Sequence, residues 1–348
     1  MQEQLRRLHY KVIIKKAVSK DPFSHQRVEN VLFKTNNKYK LKKMKRIART
    51  LTLMLLLTTG LTMTAQTSSK SVTTTTETTI QLKKGNVRVL DYGTMKLHVY
   101  YTKDKMNDVA ILLEKKGKAV LIESPAFWDN FKEFQHYIAS NKVVLEGILP
   151  AYHPLGATLM ATDALKKAAV YFTPNMLDYW KNGFGAVMKA GIPKAFGAIV
   201  DSNFYKPTVM LKEGAIEIAG IKLIINTTYD GFDIEIPEIN TVYVHILGHD
   251  VHSEILSVAH LDSSIVNFKK YLNKGYQTYL SAHYGVESQK DMAVKVAYLL
   301  KMKKIMATSK TAEAFTKNMK AAYPNYKEGY LSATANALYS NKPQEHKH

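Results

Sequence analysis

Three short stretches carry the residues with the clearest capacity for chemistry: AYHPLGA at 151–157, LGHDVHS at 247–253 and SAHYG at 281–285. Each puts a histidine a few residues beyond an apolar, β-rich run. VVLEGIL (143–149) precedes His153, NTVYVHIL (240–247) precedes His249, and QTYLS (277–281) precedes His283. Three imidazoles delivered from three strand ends are what a zinc site with an open fourth position needs. The chain has no cysteine, so a metal site here must be built from histidines and carboxylates, and no disulfide or thiolate nucleophile is available. The run HILGHDVHSEILSVAHLD (245–262) is the densest in His and Asp. Within it His252 reads either as a neighbour of His249 on one helical turn or as a donor behind it. His245 and His260 read as satisfied, partly buried imidazoles, and His98 and His136 as ordinary strand and helix positions. Tyr152 and Tyr284, each beside a candidate histidine, could donate to a substrate oxyanion or simply pack.

Other chemistries lack their residues. There is no GxSxG elbow, no GxxxxGK[ST] phosphate loop and no HExxH, and Gly183-Phe184-Gly185 lacks the third glycine of a dinucleotide fingerprint.

The elements that must hold these histidines follow from hydrophobic period. IQLKKGNVRVL (80–90), KLHVYYT (96–102), VAILLEK (109–115) and KAVLIES (118–124) read as strands, the last two joined by a turn at Lys116-Gly117. Phe127, Phe131, Phe134 and Ile138 recur at helical spacing, which predicts an amphipathic helix to Ser140 before the VVLEGIL strand. A helix is expected over 156–168, a strand over 169–173, and a helix from Pro174 to about Lys181. The glycine-rich stretch 183–207 reads as a surface excursion lining a cleft. Strands return at 215–229, 231–238 and 240–247. Helices are expected over 260–272, 287–306, 311–322 and 326–339.

The N-terminal region has a different character. Of the formal net charge of +20, residues 1–50 carry +12, which leaves little for the other 298 residues. A basic nucleic-acid-binding face on the folded domain is therefore not expected. Met44 to Arg49 forms a positive segment, followed by an uncharged Leu/Met/Thr stretch from Leu51 to Ala65 and the polar QTSSKS. That is the layout of a secretory signal peptide, shorter than the ~20 apolar residues of a spanning helix. The expected organisation is a basic extension (1–43), a signal peptide (44–65), a Thr/Ser-rich linker (66–79), one globular domain (80–340) and a tail (341–348). A start at Met44 would place 1–43 outside the protein; a start at Met1 favours an uncleaved anchor. The protein is expected to be exported, periplasmic or secreted, with membrane contact only if the signal is retained.

Strands, a helix, a strand, helices, more strands and final helices suggest two sheets packed face to face with helices outside. In that order, the VLIES strand end, the His-Pro-Leu-Gly-Ala loop, Gly248-His249 and His283 before Tyr284-Gly285 resemble the metallo-β-lactamase superfamily over roughly residues 85–300. The resemblance implies an α/β, four-layer αββα sandwich with metal ligands on loops at one end of the sheets. His153 matches the second histidine of the family's HxHxDH cluster, Gly248-His249 its third motif, and His283 its final ligand. The cluster's first histidine and its Asp-His pair have no counterpart, and Asp262, only 13 residues after His249, is not assigned as the bridging aspartate. The resemblance therefore implies at most one zinc ion, on His153, His249 and His283, in a hydrolase for a small-molecule ester, amide or phosphoester. The alternative is a non-catalytic binding protein that keeps the sandwich and its cleft.

Overall fold

A computed structural model of the chain describes residues 76–161, 165–245 and 247–339, all within one compact unit. The basic extension, the signal-like segment, residues 66–75 of the linker and the tail lie outside the described residues. No helix among the described residues is long and apolar enough to cross a membrane.

The first sheet has eight strands in sequence order: β1 (Thr76–Gln81), β2 (Asn86–Asp91), β3 (Lys96–Tyr101), β4 (Val109–Lys115), β5 (Lys118–Ile122), β6 (Val144–Leu149), β7 (Ala169–Phe172) and β8 (Val209–Met210). The first five form an antiparallel meander, and β5 to β8 run parallel. The single strand expected over 80–90 is thus a hairpin, turning at residues 82–85, and Thr76–Thr79 at the end of the expected linker pair with β2. The second sheet runs β14-β13-β12-β11-β10-β9, from β9 (Gly214–Ile218), β10 (Ile221–Thr227), β11 (Phe232–Ile236), β12 (Thr241–Val244), β13 (Thr278–Ser281) and β14 (Gly285–Ser288). Its one parallel pair is β12 with β13.

Strand alternation separates two cores. On β12, Tyr243 faces the core shared by both sheets, while Val242 and Val244 face the C-terminal helices; on β13, Leu280 and Tyr279 divide the same way. Val109 to Leu113 of β4 are all buried, as befits a strand covered on both faces. Helix α1 (Trp128–Ser140) packs Phe131, Phe134 and Ile138 on the outside of the first sheet. The outside of the second is covered by α4 (Val258–Asn273), α5 (Gln289–Thr308), α6 (Ala312–Ala322) and α7 (Leu331–Tyr339). Their starts are fixed by side chains that satisfy free amides: Ser257 caps α4, Ser288 with Asp291 forms a capping box on α5, and Thr311 caps α6. The result is a four-layer αββα sandwich.

Two expectations change. The helix expected over 156–168 is only a 3₁₀ turn at Ala157–Ala161 among the described residues, and 183–207 contains a helix, α3 (Phe184–Phe196), directly after α2 (Pro174–Asn182). Pro193 is accommodated in the last turn of α3.

Candidate metal centre

Parallel neighbours end at the same level, and the site sits where they do. Val244 of β12 is opposite Ser281 of β13; His245 is the next residue on one chain and His283 lies two further on the other. The amide of Ala282 donates to the His245 carbonyl at 2.9 Å, which holds the two strand ends together. In the first sheet β5 and β6 also run parallel, so Glu123 and the loop to His153 leave from one edge. The amide of Val109 donates to the Ala282 carbonyl at 2.6 Å, tying the β3–β4 loop to the second sheet.

Glu123 organises the first loop. It is fully buried and its backbone is left-handed (φ 57°), a conformation seldom taken outside glycine and sustained only where the surroundings over-determine it. Its carboxylate accepts from the amides of Tyr152 (2.8 Å) and His153 (3.0 Å) and from the Tyr243 hydroxyl (2.7 Å). Burial pushes its pKa up to about 8, although all three donors pull the other way. Gly156 lets the loop close on Glu123's strand end: its φ is +78°, and a β-carbon there would lie 2.6 Å from the Pro125 carbonyl oxygen.

The three histidines His153, His245 and His283 each offer one ring nitrogen within 4.8 Å of the other two. The Nε2 atoms of His153 and His245 are 3.0 Å apart. Behind them stands a ring of acceptors. His245 Nδ1 is 3.1 Å from Asp230 Oδ2, and His283 Nδ1 donates to the Met106 carbonyl at 3.2 Å with Asp108 Oδ1 at 3.3 Å. His153 Nδ1 is 3.9 Å from Glu123 Oε2. A carbonyl or carboxylate can only accept, so Nδ1 carries the proton in His245 and His283, and their Nε2 atoms present lone pairs. Acceptors behind the ring that fix the tautomer are the usual support of metal-ligating histidine.

The electrostatics follow from burial. His153 is held well below the usual histidine range by desolvation and by the two neighbouring imidazoles, and so stays neutral. Burial also opposes charge on His283, but Asp108 outweighs it and raises that histidine. For Asp230, burial is outweighed by the bond to His245, which holds the carboxyl below its ordinary range. Nitrogens around a tetrahedral ion at about 2.0–2.1 Å are separated by roughly 3.4 Å, so the observed group fits zinc with small adjustments. His153, His245 and His283 would hold it. The group opens on a cavity of about 380 Å³ walled by Met106, Tyr179, Trp180, Met188, Tyr284 and Tyr330, with Lys105 also lining it.

Of the sequence-predicted ligands, the structure brings His153 and His283 together and does not bring His249 to them. His249 is turned to the surface, its side chain 43% exposed and its Nδ1 2.7 Å from Glu287 Oε1, whose carboxylate also accepts from the amides of Gly248 and His249. His245 takes the place in the group instead. His252 is buried against Tyr298 (Nδ1 to hydroxyl, 3.0 Å), and Asp262 pairs with Lys303 on the exposed side of α4. Both Tyr152 and Tyr284 line the cavity, but Tyr152 directs its hydroxyl to Asp233 (2.6 Å) and stacks on His245, so its phenol proton is engaged in supporting the site. Sequence reasoning missed His245, Asp108, Glu123 and Asp230. The first was findable as the residue that ends a strand parallel to the one leading to His283.

A four-layer αββα sandwich is the architecture of the metallo-β-lactamase fold, and this chain has that fold. Among solved structures it is similar to a metallo-β-lactamase family protein of Thermus thermophilus, with a TM-score of 0.50 and 14% identity over 70% of this chain and 91% of that one. It is also similar to the stereoselective inverting sec-alkylsulfatase Pisa1 from Pseudomonas sp., with a TM-score of 0.51 and 12% identity over 71% of this chain and 49% of that one. The chain thus spans about half of the sulfatase's length. No family profile and no curated protein matches the sequence.

Proposed function

We propose that this protein is an exported, metal-dependent hydrolase that works with a single zinc ion on His153, His245 and His283. One observation carries the reading: three imidazoles converge while the Nδ1 atoms of His245 and His283 are held from behind by acceptors. Three neutral ligands leave the charge of zinc undiluted, so the ion supplies Lewis acidity and brings a water's pKa to about 7. The protein's own contribution is to keep His153 neutral, to aim the His245 and His283 rings through the acceptors behind them, and to wall the cavity with aromatic rings. Tyr284 faces that cavity with its phenol pushed up to about 12 by burial, which keeps a proton available for a developing oxyanion. An ester-type small molecule with an apolar body suits the cavity, and the likeness to an alkylsulfatase supports that class. The layout of residues 44–65 supports export.

The test is metal content. Full-chain protein purified without chelator should carry close to one equivalent of zinc by elemental analysis. Protein with none, and with no gain in melting temperature on adding zinc, overturns the reading.

A further inference from the structure

We infer that Glu254 is the proton-transfer carboxylate of the cavity, the group that takes the proton from the attacking water. The inference rests on reading the histidine group as a hydrolytic centre.

The carboxylates that surround the histidines are already committed. Asp230 is bonded to His245 and to the Thr228 hydroxyl, Glu123 accepts three hydrogen bonds, and Asp108 lies beside His283 Nδ1. All three act from behind the rings. Among the described residues only two carboxylates line the histidine cavity, Asp230 and Glu254, and Glu254 accepts no hydrogen bond from a described residue. It also lines the adjoining cavity of about 50 Å³, together with Tyr152, Asp230 and His245. Its charge is felt by His245 and His283 on one side and by Tyr179, Tyr284 and Tyr330 on the others.

The chain on either side of Glu254 is fixed with unusual thoroughness. The Thr334 hydroxyl donates to the Ser253 carbonyl and accepts from the Ile255 amide, both at 2.8 Å. Lys295, fully buried, donates to the Val251 carbonyl at 2.7 Å and to the Ser253 hydroxyl at 2.9 Å. A buried ammonium is costly when no carboxylate pairs with it, and here it is spent on the two residues that lead into Glu254. A rigid backbone under an uncommitted side chain is how a proton-transfer group is held at a reacting atom. Burial raises the pKa of Glu254, which brings it toward the range where a carboxylate both accepts and returns a proton near neutrality.

For an ester the step balances as follows. The water O–H breaks and its proton passes to Glu254 Oε. The water oxygen bonds to the acyl carbon, the bond from that carbon to the leaving oxygen breaks, and Glu254 returns the proton to the leaving alkoxide, giving acid and alcohol.

The test needs no knowledge of the substrate. Acetohydroxamic acid, a probe that binds a metal centre as its anion, is titrated calorimetrically into the zinc-loaded full chain at pH 6, below the value of about 7 at which a zinc-bound water ionises, in two buffers of different ionisation enthalpy. Wild type should keep the probe's proton on Glu254 and release close to none to the buffer. Glu254→Gln should bind the same equivalent of zinc, release close to one proton per probe, and bind it at least tenfold more weakly. Glu254→Ala, measured alongside, keeps the comparison available if the amide disturbs folding. Equal proton release by wild type and variants overturns the assignment, as does failure of zinc-loaded wild type to bind the probe, or loss of zinc from E254Q, which would make Glu254 a ligand. Wild type that takes up no zinc overturns the hydrolytic reading itself, a result distinguishable from the others at the loading step.

Discussion

Replacing His245 by Ala, with His249→Ala beside it, separates the histidine group seen in the structure from the one that strand-end motifs suggest. Zinc at a hundred times its dissociation constant stabilises a folded protein by about 2.7 kcal/mol. At roughly 2–4 °C per kcal/mol for a domain of this size, wild type should gain roughly 5–11 °C. Losing a partner that merely orients a ligand already weakens metal binding about 10–100-fold, so losing one of three ligands should cost at least the upper end of that range. At the same zinc concentration the H245A gain then falls to about 0.4 kcal/mol, or roughly 1–2 °C. His249 is a half-exposed residue whose partner Glu287 keeps two backbone donors without it. Its loss should lower the zinc-free melting temperature by the equivalent of about 0–1 kcal/mol and leave the zinc-induced gain intact. Differential scanning fluorimetry of the three proteins with and without zinc reads both quantities, and comparing gains cancels any baseline cost of removing His245 from its stack on Tyr152. An H249A protein that loses the gain while H245A keeps it would refute the reasoning.

Two further outcomes follow from groups around the site. Asp230→Asn removes the charge behind His245 Nδ1 and should weaken zinc about 10–100-fold, roughly 1.4–2.7 kcal/mol; a chelator competition showing wild-type affinity would remove Asp230 from its orienting role. Burial holds Lys295 down to about 7 from an ordinary 10.5, so between those values the unfolded chain binds one more proton than the folded one. Stability should therefore rise with pH by about 1.4 kcal/mol per unit across that window and level off below pH 7. Lys295→Met should remove that increment, as read from denaturant unfolding at pH 7.5 and 9.0, and an unchanged slope would contradict it.

The layers were readable because their physics is local. The short β-rich runs KLHVYYT and VAILLEK, the latter continuously apolar over Val109–Leu113, and the 3.6 period of Phe131, Phe134 and Ile138 each depend on residues close in sequence, and each forms the expected element. The hairpin within 76–91 escaped notice because strand and turn share a polar, Lys/Thr-rich composition there. Residues 183–207 read as irregular because glycine and proline are strong breakers. Yet α3 forms with Pro193 inside it, and Ile192 seats in a small core with Ala126, Leu155 and Val200.

The histidine that the reading misplaced shows where local pattern stops being informative. Apolar residues continue from Thr241 through Leu247, so a strand is expected to run on and deliver His249 at its end. The β ladder instead stops at Val244, and Leu247 is buried among the C-terminal helices. A buried apolar residue is compatible with a strand or with a loop pressed into a core, and composition does not separate the two. What does separate them is pairing: the β12–β13 register ends at Val244 opposite Ser281, and the next residue, joined to β13 only through its carbonyl, is His245. The acceptors are harder still. Glu123 and Tyr243 are 120 residues apart, and His153 and His245 are 92 apart, so their meeting depends on which strands run parallel and where each pair ends. Once that pairing is known, the three histidines and the acceptors behind them fall at one edge of two sheets.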